Sequence, residues 1–248
     1  MSGRAAVIAV TSVSLEANIA SGPGVSVICD QASRLVASLE AEIARGAVGI
    51  ISFGIAGGLA PELSAGDWVV GSGVWAEEAY HLTDQRWARR LLDALPGAVL
   101  AKIAGADLPI ATASDKRRLR DRTGAAAVDM ESHIAGRIAA AHKIPFAICR
   151  TVIDAAHRDL PPAALVGLRD DGTPDVLAVS RSLVRRPGQL PALARIAVDA
   201  WTARQALRLG RSLLGAGLGC PYTVRPTPDV LLGADMLAGP HLRSHRTA

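Results

Sequence analysis

Aromatic side chains are scarce: four Trp, two Tyr and two Phe make up 3% of the 248 residues. Yet half of the chain is hydrophobic. The core must therefore be Ala, Val, Leu and Ile, which favours close-packed helices on a buried sheet over an aromatic-rich sandwich. Cysteine is scarcer still. Cys29, Cys149 and Cys220 are far apart and odd in number, so no disulfide framework and no metal-ligand spacing is implied. A reducing compartment is expected. No apolar run approaches the ~18 residues of a membrane span. The run Ala5–Val10 is too short for a signal-peptide core and is followed at once by Thr11-Ser12. The expected location is the cytoplasm.

Charge of either sign is modest, with 27 basic and 23 acidic residues and a net +4. The basic surplus gathers between Arg181 and Arg211, where seven Arg face one acid, Asp199. No aromatic stacking residues alternate with those arginines, so a nucleic-acid partner is not expected. His81, His133, His142 and His157 show no pairing that suggests a metal.

Seven short apolar runs read as strands buried on both faces: Ala5–Val10, Val25–Cys29, Val48–Phe53, Asp67–Val74, Val99–Ala104, Ala125–Asp129 and Pro145–Ile153. Helical patterns lie between several of them, near Gln31–Arg45, Gln85–Ala94, Ser114–Arg122 and Glu131–His142. Leu35, Val36, Leu39 and Ile43 form one 3.6-period stripe. Alternation of this kind predicts an α/β three-layer sandwich on a mixed, largely parallel sheet. Residues 1–219 read as a single domain whose part from 155 onward is helical, and 220–248 as a flexible tail. In that helical part Leu193, Ile196, Ala200, Ala203 and Leu207 make a stripe flanked by Arg204, Arg208 and Arg211. It reads either as a core face or as a peripheral contact with an anionic membrane.

The most informative stretch is Ile50-Ile51-Ser52-Phe53-Gly54-Ile55-Ala56-Gly57-Gly58-Leu59. An apolar strand feeds what reads as a Gly-rich turn, whose bare N–H groups a ligand can approach. Asp154 ends another strand-like run. Ligands bind outside the carboxyl ends of strands in open parallel sheets, so Asp154 is placed for proton transfer, or else as a helix N-cap. Asp129 and Glu131 straddle Met130 where a strand turns into a helix. They converge if the strand persists and diverge if the helix has begun. Glu131 can accept two sugar hydroxyls at once, or merely complement a helix dipole. Glu16 follows the first strand, as a base at the sheet edge or as the acid of a first helical turn. Arg150 sits in a strand. If buried it must be paired, with Glu131 or Asp154 as partner.

Together these segments resemble the nucleoside phosphorylase/nucleosidase superfamily, in the branch of methylthioadenosine/S-adenosylhomocysteine nucleosidase and the purine nucleoside phosphorylases. Ile51–Asp67 looks like its strand and Gly-rich loop. Val128–Ser132 looks like its Met-Glu ribose motif, and Arg150–Ala156 like its Arg-x-x-Ser-Asp-x-Ala motif. Further likeness lies in Leu160-Pro161-Pro162-Ala163-Ala164-Leu165-Val166-Gly167 and in Arg185-Arg186-Pro187-Gly188-Gln189-Leu190-Pro191. It resembles the hopanoid-biosynthesis-associated subgroup, linked to removal of adenine from adenosylhopane.

The resemblance implies roles. Asp154 would protonate the purine N7, and Glu131 would hold the ribose hydroxyls with Met130 packed on the sugar. Gly57 and Gly58 would face the anomeric carbon. Glu16 would position water, and Ser114-Asp115 would lie in the segment that meets the base. No metal or organic cofactor is implied, with phosphate as a co-substrate if the reaction is a phosphorolysis. The ligand would be a small nucleoside with an apolar 5′ group, and the protein a homodimer. Two residues depart from the pattern. Ile55 stands where Ser or Thr is usual, and Ile153 where Ser precedes the catalytic Asp. These departures support the alternative of a nucleoside-binding protein without activity. A further alternative is a nucleosidase acting on methylthioadenosine itself, which the long region after Asp154 disfavours.

Overall fold

The computed structural model describes residues 6–30, 32–76, 79–165 and 187–222, together with Arg181 and Arg185. Its strands are β1 (Val7–Val10), β2 (Val25–Ile28), β3 (Gly49–Gly58), β4 (Trp68–Ala76), β5 (Ala79–Leu82), β6 (Val99–Gly105), β7 (Ala127–Asp129) and β8 (Phe146–Asp154). The helices are α1 (Ser14–Ala20), α2 (Ala32–Ala44), α3 (Gln85–Ala94), α4 (Ala113–Thr123), α5 (Ser132–His142), α6 (Pro162–Leu165) and α7 (Leu190–Leu214). The expected mixed α/β architecture is present. Five strand pairings are parallel and three antiparallel. Strand β5 was not anticipated as an element, and helix α1 only as the first helical turn offered for Glu16.

Alternation along the strands divides the core into two layers. Ile8, Val10, Ile50, Phe146 and Ile148 face helices α2 and α5, meeting Leu35, Leu39, Ile134 and Ile138. Their neighbours Val7, Ala9, Ile51, Phe53, Ala147 and Cys149 face the opposite way, toward Trp87 and Leu91 of α3 and Leu207 and Leu214 of α7. Apolar residues on both faces are what made the strands read as continuous hydrophobic runs.

The pairing goes beyond a simple sandwich. β3 pairs with β8, β8 with β4, β4 with β6, β6 with β7, and β7 returns to β3. Five strands thus close a ring, while β1, β2 and β5 lie outside it. β3 holds three partners by dividing its length. Its start, Gly49–Ser52, pairs with β1, and its last two residues, Gly57 and Gly58, pair with β7. β8 runs along its other side. Gly57 and Gly58 are therefore strand residues, not the turn expected. Small residues are required there because three strands converge. A Cβ on Gly58 would lie 2.9 Å from the carbonyl oxygen of Asp154.

Helix α7 covers the second face. Ala203 and Leu207 of its expected stripe are buried and Leu193, Ile196 and Ala200 half-buried, so the C-terminal part of that stripe belongs to the core. The chain stays packed past the boundary expected at 219. Cys220 is buried, and the Tyr222 hydroxyl donates to Asp84 at 3.0 Å. The rest of the expected tail lies outside the described residues.

Gly210 sets how closely α7 approaches the sheet. A Cβ there would stand 2.3 Å from the Trp68 ring. Helix propensity alone favours Ala over Gly by about 1 kcal/mol. At this site overpacking, which costs about 1–3 kcal/mol, dominates. Gly210→Ala should therefore lower the midpoint of urea unfolding rather than raise it.

Candidate active site

The division of β3 leaves a gap in its ladder. After β1 stops opposite Ser52, and before β7 starts opposite Gly57, one edge of the strand lacks a neighbouring strand. Charged side chains fill the gap. The Ile55 N–H donates to Glu16 Oε1 at 2.8 Å, and the Ile55 carbonyl accepts from Arg150 Nη1 at 3.4 Å.

Glu16 is the third residue of α1 and wholly buried. Its Oε2 also accepts the N–H groups of Ser12 at 2.8 Å and Val13 at 3.3 Å. It therefore caps its own helix and secures β3 with one carboxylate. That closeness requires Gly54, whose φ is +156° and whose Cβ would lie 2.7 Å from the Glu16 carboxyl. About four acceptor positions belong to a carboxylate; backbone donors take three of them in Glu16.

Arg150 is fully buried. Its Nε lies 2.7 Å from Asp129 Oδ2 and its Nη2 3.0 Å from Glu131 Oε2. Nη2 also donates to Ser52 Oγ at 2.5 Å. Of the two partners expected for it, Glu131 is found and Asp154 is not; Asp129 is added. Asp129 and Glu131 converge on the guanidinium although helix α5 begins at Ser132, because Glu131 keeps a non-helical φ of −120° at its N-cap. The Glu131 side chain makes no capping bond; besides Arg150 it accepts from Ser12 Oγ at 3.1 Å. Met130 between them is half-buried.

Three buried acids around one cation cannot all ionise without cost. Burial pushes the Glu131 carboxyl up to about 7; Asp129 and Glu16 add to the rise, and Arg150 and Ser12 oppose it.

Asp154 forms a second cluster. The β3–β8 register shifts between Ala56 and Gly57, so that Val152 opposes Ala56 while Asp154 opposes Gly57. Ile153 is the extra residue, and such bulges re-aim the side chain that follows. Asp154 does not cap a helix: α6, the next, begins only at Pro162. Its Oδ1 would lie 3.4 Å from a Cβ on Gly57, which the glycine leaves out. Its Oδ2 accepts from the buried ammonium of Lys116. Lys116 Nζ also donates to the carbonyls of Ala155 and Arg158, each at 3.1 Å. Burial raises the Asp154 carboxyl above its usual range, and Lys116 opposes that rise without cancelling it.

Lys116 was not anticipated. Its neighbours Ser114 and Asp115 were, but their side chains stay at the start of α4. Thr112 donates to Asp115 at 2.6 Å and lies 2.9 Å from Ser114 Oγ. The Thr112 bond and Arg118 hold the Asp115 carboxyl below its usual range. In the run Ser-Asp-Lys-Arg-Arg a single lysine has no distinguishing mark. Only the helical period, which turns Lys116 and Leu119 inward together, could have found it.

Glu16, Glu131 and Arg150 thus come together, and Asp154 joins Gly57 and Lys116. Ile55 touches the first cluster and Gly57 the second, two residues apart, or about 7 Å along a strand. Two cavities among the described residues lie elsewhere. One of about 580 Å³ separates α1 from α7, and one of about 530 Å³ lies between β5 and α5.

A ring of strands with acidic residues at the carboxyl ends of β7 and β8 agrees with the sequence match. Residues 19–186 match the Phosphorylase superfamily, and the chain belongs to it. No curated protein matches the chain. Among solved structures, the chain is similar to 5′-methylthioadenosine/S-adenosylhomocysteine nucleosidase of Helicobacter pylori in complex with butyl-thio-DADMe-Immucillin-A. Identity is 12% and TM-score 0.61, over 85% of this chain and 98% of that one. Futalosine hydrolase of the same organism gives 13% and 0.58, over 84% and 97%. S-adenosylhomocysteine nucleosidase of Streptococcus pyogenes gives 14% and 0.55, over 79% and 97%.

The raised Glu131 carboxyl has a consequence for stability. A group that holds its proton more tightly when folded stabilises the fold below its unfolded pKa, and that contribution is lost as pH rises through the folded value. For Glu131 the window runs from 4.5 to about 7. At 1.36 kcal/mol per unit the loss is about 3 kcal/mol. Unfolding free energies of wild type and Glu131→Gln, measured by urea titration across this window, should diverge, with the wild type falling more steeply.

Proposed function

We propose that this protein cleaves the N-glycosidic bond of an adenine nucleoside carrying a large apolar 5′ substituent. Adenosylhopane is the substrate that the sequence resemblance favours, with adenine released in hopanoid biosynthesis. The observation that carries the reading is Asp154, set by a bulge against the bare backbone of Gly57 and raised above the usual carboxylate range. A carboxyl of this kind can hand a proton to the purine N7 as the C–N bond stretches, so that adenine leaves neutral. Such acid assistance is worth roughly 10²–10⁴ in rate. Glu131, held in place by Arg150, receives the sugar hydroxyls with Met130 beside them. The spacing between Ile55 and Gly57 suits a base at one cluster and a ribose at the other.

Water is the proposed nucleophile, with no cofactor. Ile55 offers no hydroxyl to a phosphate, Glu16 keeps one acceptor position for a water, and the structural neighbours named above are nucleosidases and a hydrolase. Their complexes include an alkylthio-bearing inhibitor, which agrees with an apolar group at the 5′ side.

Wild type should release adenine from 5′-alkyl-5′-deoxyadenosines at a rate that does not depend on phosphate, and should yield a free sugar. Asp154→Asn should lose that activity by at least about 10²-fold while keeping its fold. Sugar phosphate as the product would mean phosphorolysis. Activity confined to methylthioadenosine would favour the simpler nucleosidase. An inert wild type would favour a protein that only binds.

We also propose that the reaction takes place at the cytoplasmic membrane surface. No described helix is long and apolar enough to cross a bilayer. The outward face of α7, however, exposes Val198, Trp201, Leu209 and Leu213, with Trp201 62% exposed. Arg204 and Arg208 border it, lining the groove toward Leu15 and Ile19 of α1. Each basic residue near an anionic leaflet contributes about 1 kcal/mol. Wild type should co-sediment with anionic vesicles, less so at high salt, and not with neutral ones. Trp201→Glu and Arg204→Glu/Arg208→Glu should both weaken this. Self-association lost in Trp201→Glu, without vesicle binding, would instead make the face a homodimer contact and overturn the membrane role.

A further inference from the structure

Lys116 lies in none of the sequence motifs, yet it is 1% exposed and bonded to the proposed acid. An ammonium has three N–H donors. Lys116 has three acceptors: Asp154 Oδ2 and the carbonyls of Ala155 and Arg158. The count also works after a proton leaves. A neutral amine keeps two N–H groups for the two carbonyls and turns its lone pair toward a protonated Asp154. The ion pair and its neutral tautomer are therefore both satisfied by the same surroundings, whereas an ionised Asp154 beside a neutral amine is not, so a proton is drawn back to Lys116 after the step. An isolated buried carboxyl has no such property.

We infer that Lys116 supplies the proton that Asp154 passes to the leaving base, acting as a positioning residue through Asp154 rather than on the substrate. The inference rests on the reading of Asp154 as the acid. As the C1′–N9 bond breaks, its electron pair goes to the purine. N7 takes a proton from Asp154, and Asp154 takes one from Lys116 Nζ. Adenine leaves neutral, Asp154 ends ionised as it began, and Lys116 is a neutral amine. Water bonds to C1′ and loses a proton to solvent; solvent returns one to Lys116.

The charged groups facing Asp154 come from three elements. Lys116 comes from α4, Arg158 from the loop after β8, and Asp199 from α7. Arg158 and Asp199 are paired with each other, so their effects on the carboxyl oppose. Lys116 is left as the group that decides when the proton is present.

Two models predict opposite shifts. If Asp154 alone is the donor, removing Lys116 raises its pKa, and activity extends to higher pH. If the pair is the donor, the wild type still holds a proton to pass on where a lone carboxyl has lost its own. Lys116→Met then leaves a lone carboxyl, and the limb moves down. Each pH unit above that carboxyl's pKa removes about tenfold of the acid form.

The test is kcat against pH from 5 to 9 with a 5′-alkyl-5′-deoxyadenosine, for wild type, Lys116→Met, Lys116→Arg and Asp154→Asn. We expect Lys116→Met to keep most activity at pH 5 and lose at least about tenfold more than wild type by pH 8. A basic limb that moves up, or a uniform loss at all pH values, overturns the inference. Retained activity in Asp154→Asn overturns the underlying reading instead. Should Lys116→Met fail to fold, carboxyl ¹³C NMR of the labelled wild type, with the Asp154 signal assigned from Asp154→Asn, still decides. Asp154 ionised at pH 7 supports the pair as donor, and Asp154 protonated at pH 7 overturns it.

Discussion

The gap in the ladder of β3 governs the arrangement around it. A strand whose edge is released by one neighbour before the next arrives leaves backbone groups that cannot remain unpaired in a buried setting. Here the Ile55 N–H and carbonyl are taken by a carboxylate and a guanidinium. Polar chemistry is thereby drawn into the interior by a backbone requirement. Glu16 and Arg150 are held by bonds to β3, and Arg150 in turn holds Glu131 and Asp129.

Such a cluster is poor evidence for stability. Burying an ion pair costs about as much as its attraction returns, and an apolar replacement is often as stable. What the cluster supplies is placement. The guanidinium fork is rigid and has five donors, and four residues from β3, β7 and the segment after β7 meet it. Glu131 is thereby kept off helix α5, where an N-cap acid would ordinarily bond to its own backbone. The same division recurs at Asp154, which a bulge aims and a lysine secures. Both sites depend on β3 being slim at its end, where Gly54, Gly57 and Gly58 admit side chains and backbone that any Cβ would meet.

Much of this was legible in the amino-acid sequence. Helix α3 spans the predicted residues Gln85–Ala94, and the strands fall where the apolar runs placed them. Periodicity reports burial, and burial follows secondary structure closely in a layered fold. Strand β5 escaped because Ala79-Tyr80-His81-Leu82 is half-exposed and lacks an apolar run. Helix α1 was legible only as a first turn at Glu16, because it has only seven residues. The course of β3 through Gly57 and Gly58 was illegible for a deeper reason. Glycine favours turns locally, and only pairing with β7 and β8 makes it strand. At the site, Glu16, Glu131, Arg150 and Asp154 were singled out by residue type and position, but of their partners only Glu131, one of two offered for Arg150, was. Which acid meets Arg150, and that Lys116 meets Asp154, is decided by strand register and helix phase across long separations.

The closed ring has a bearing on how the chain folds. Its first and last members, β3 and β8, join residues such as Ile50 and Phe146, separated by roughly a hundred positions. Contacts of that range are entropically expensive to form and slow the search for the native state. During synthesis, β1, β2 and β3 emerge and can pair long before β8 exists. Until then β3 presents an unpaired apolar edge, the kind of surface that templates aggregation. The bare glycines that make room for chemistry at the end of β3 are also poor strand formers. They disfavour the zipping of that edge until β7 and β8 are both in hand.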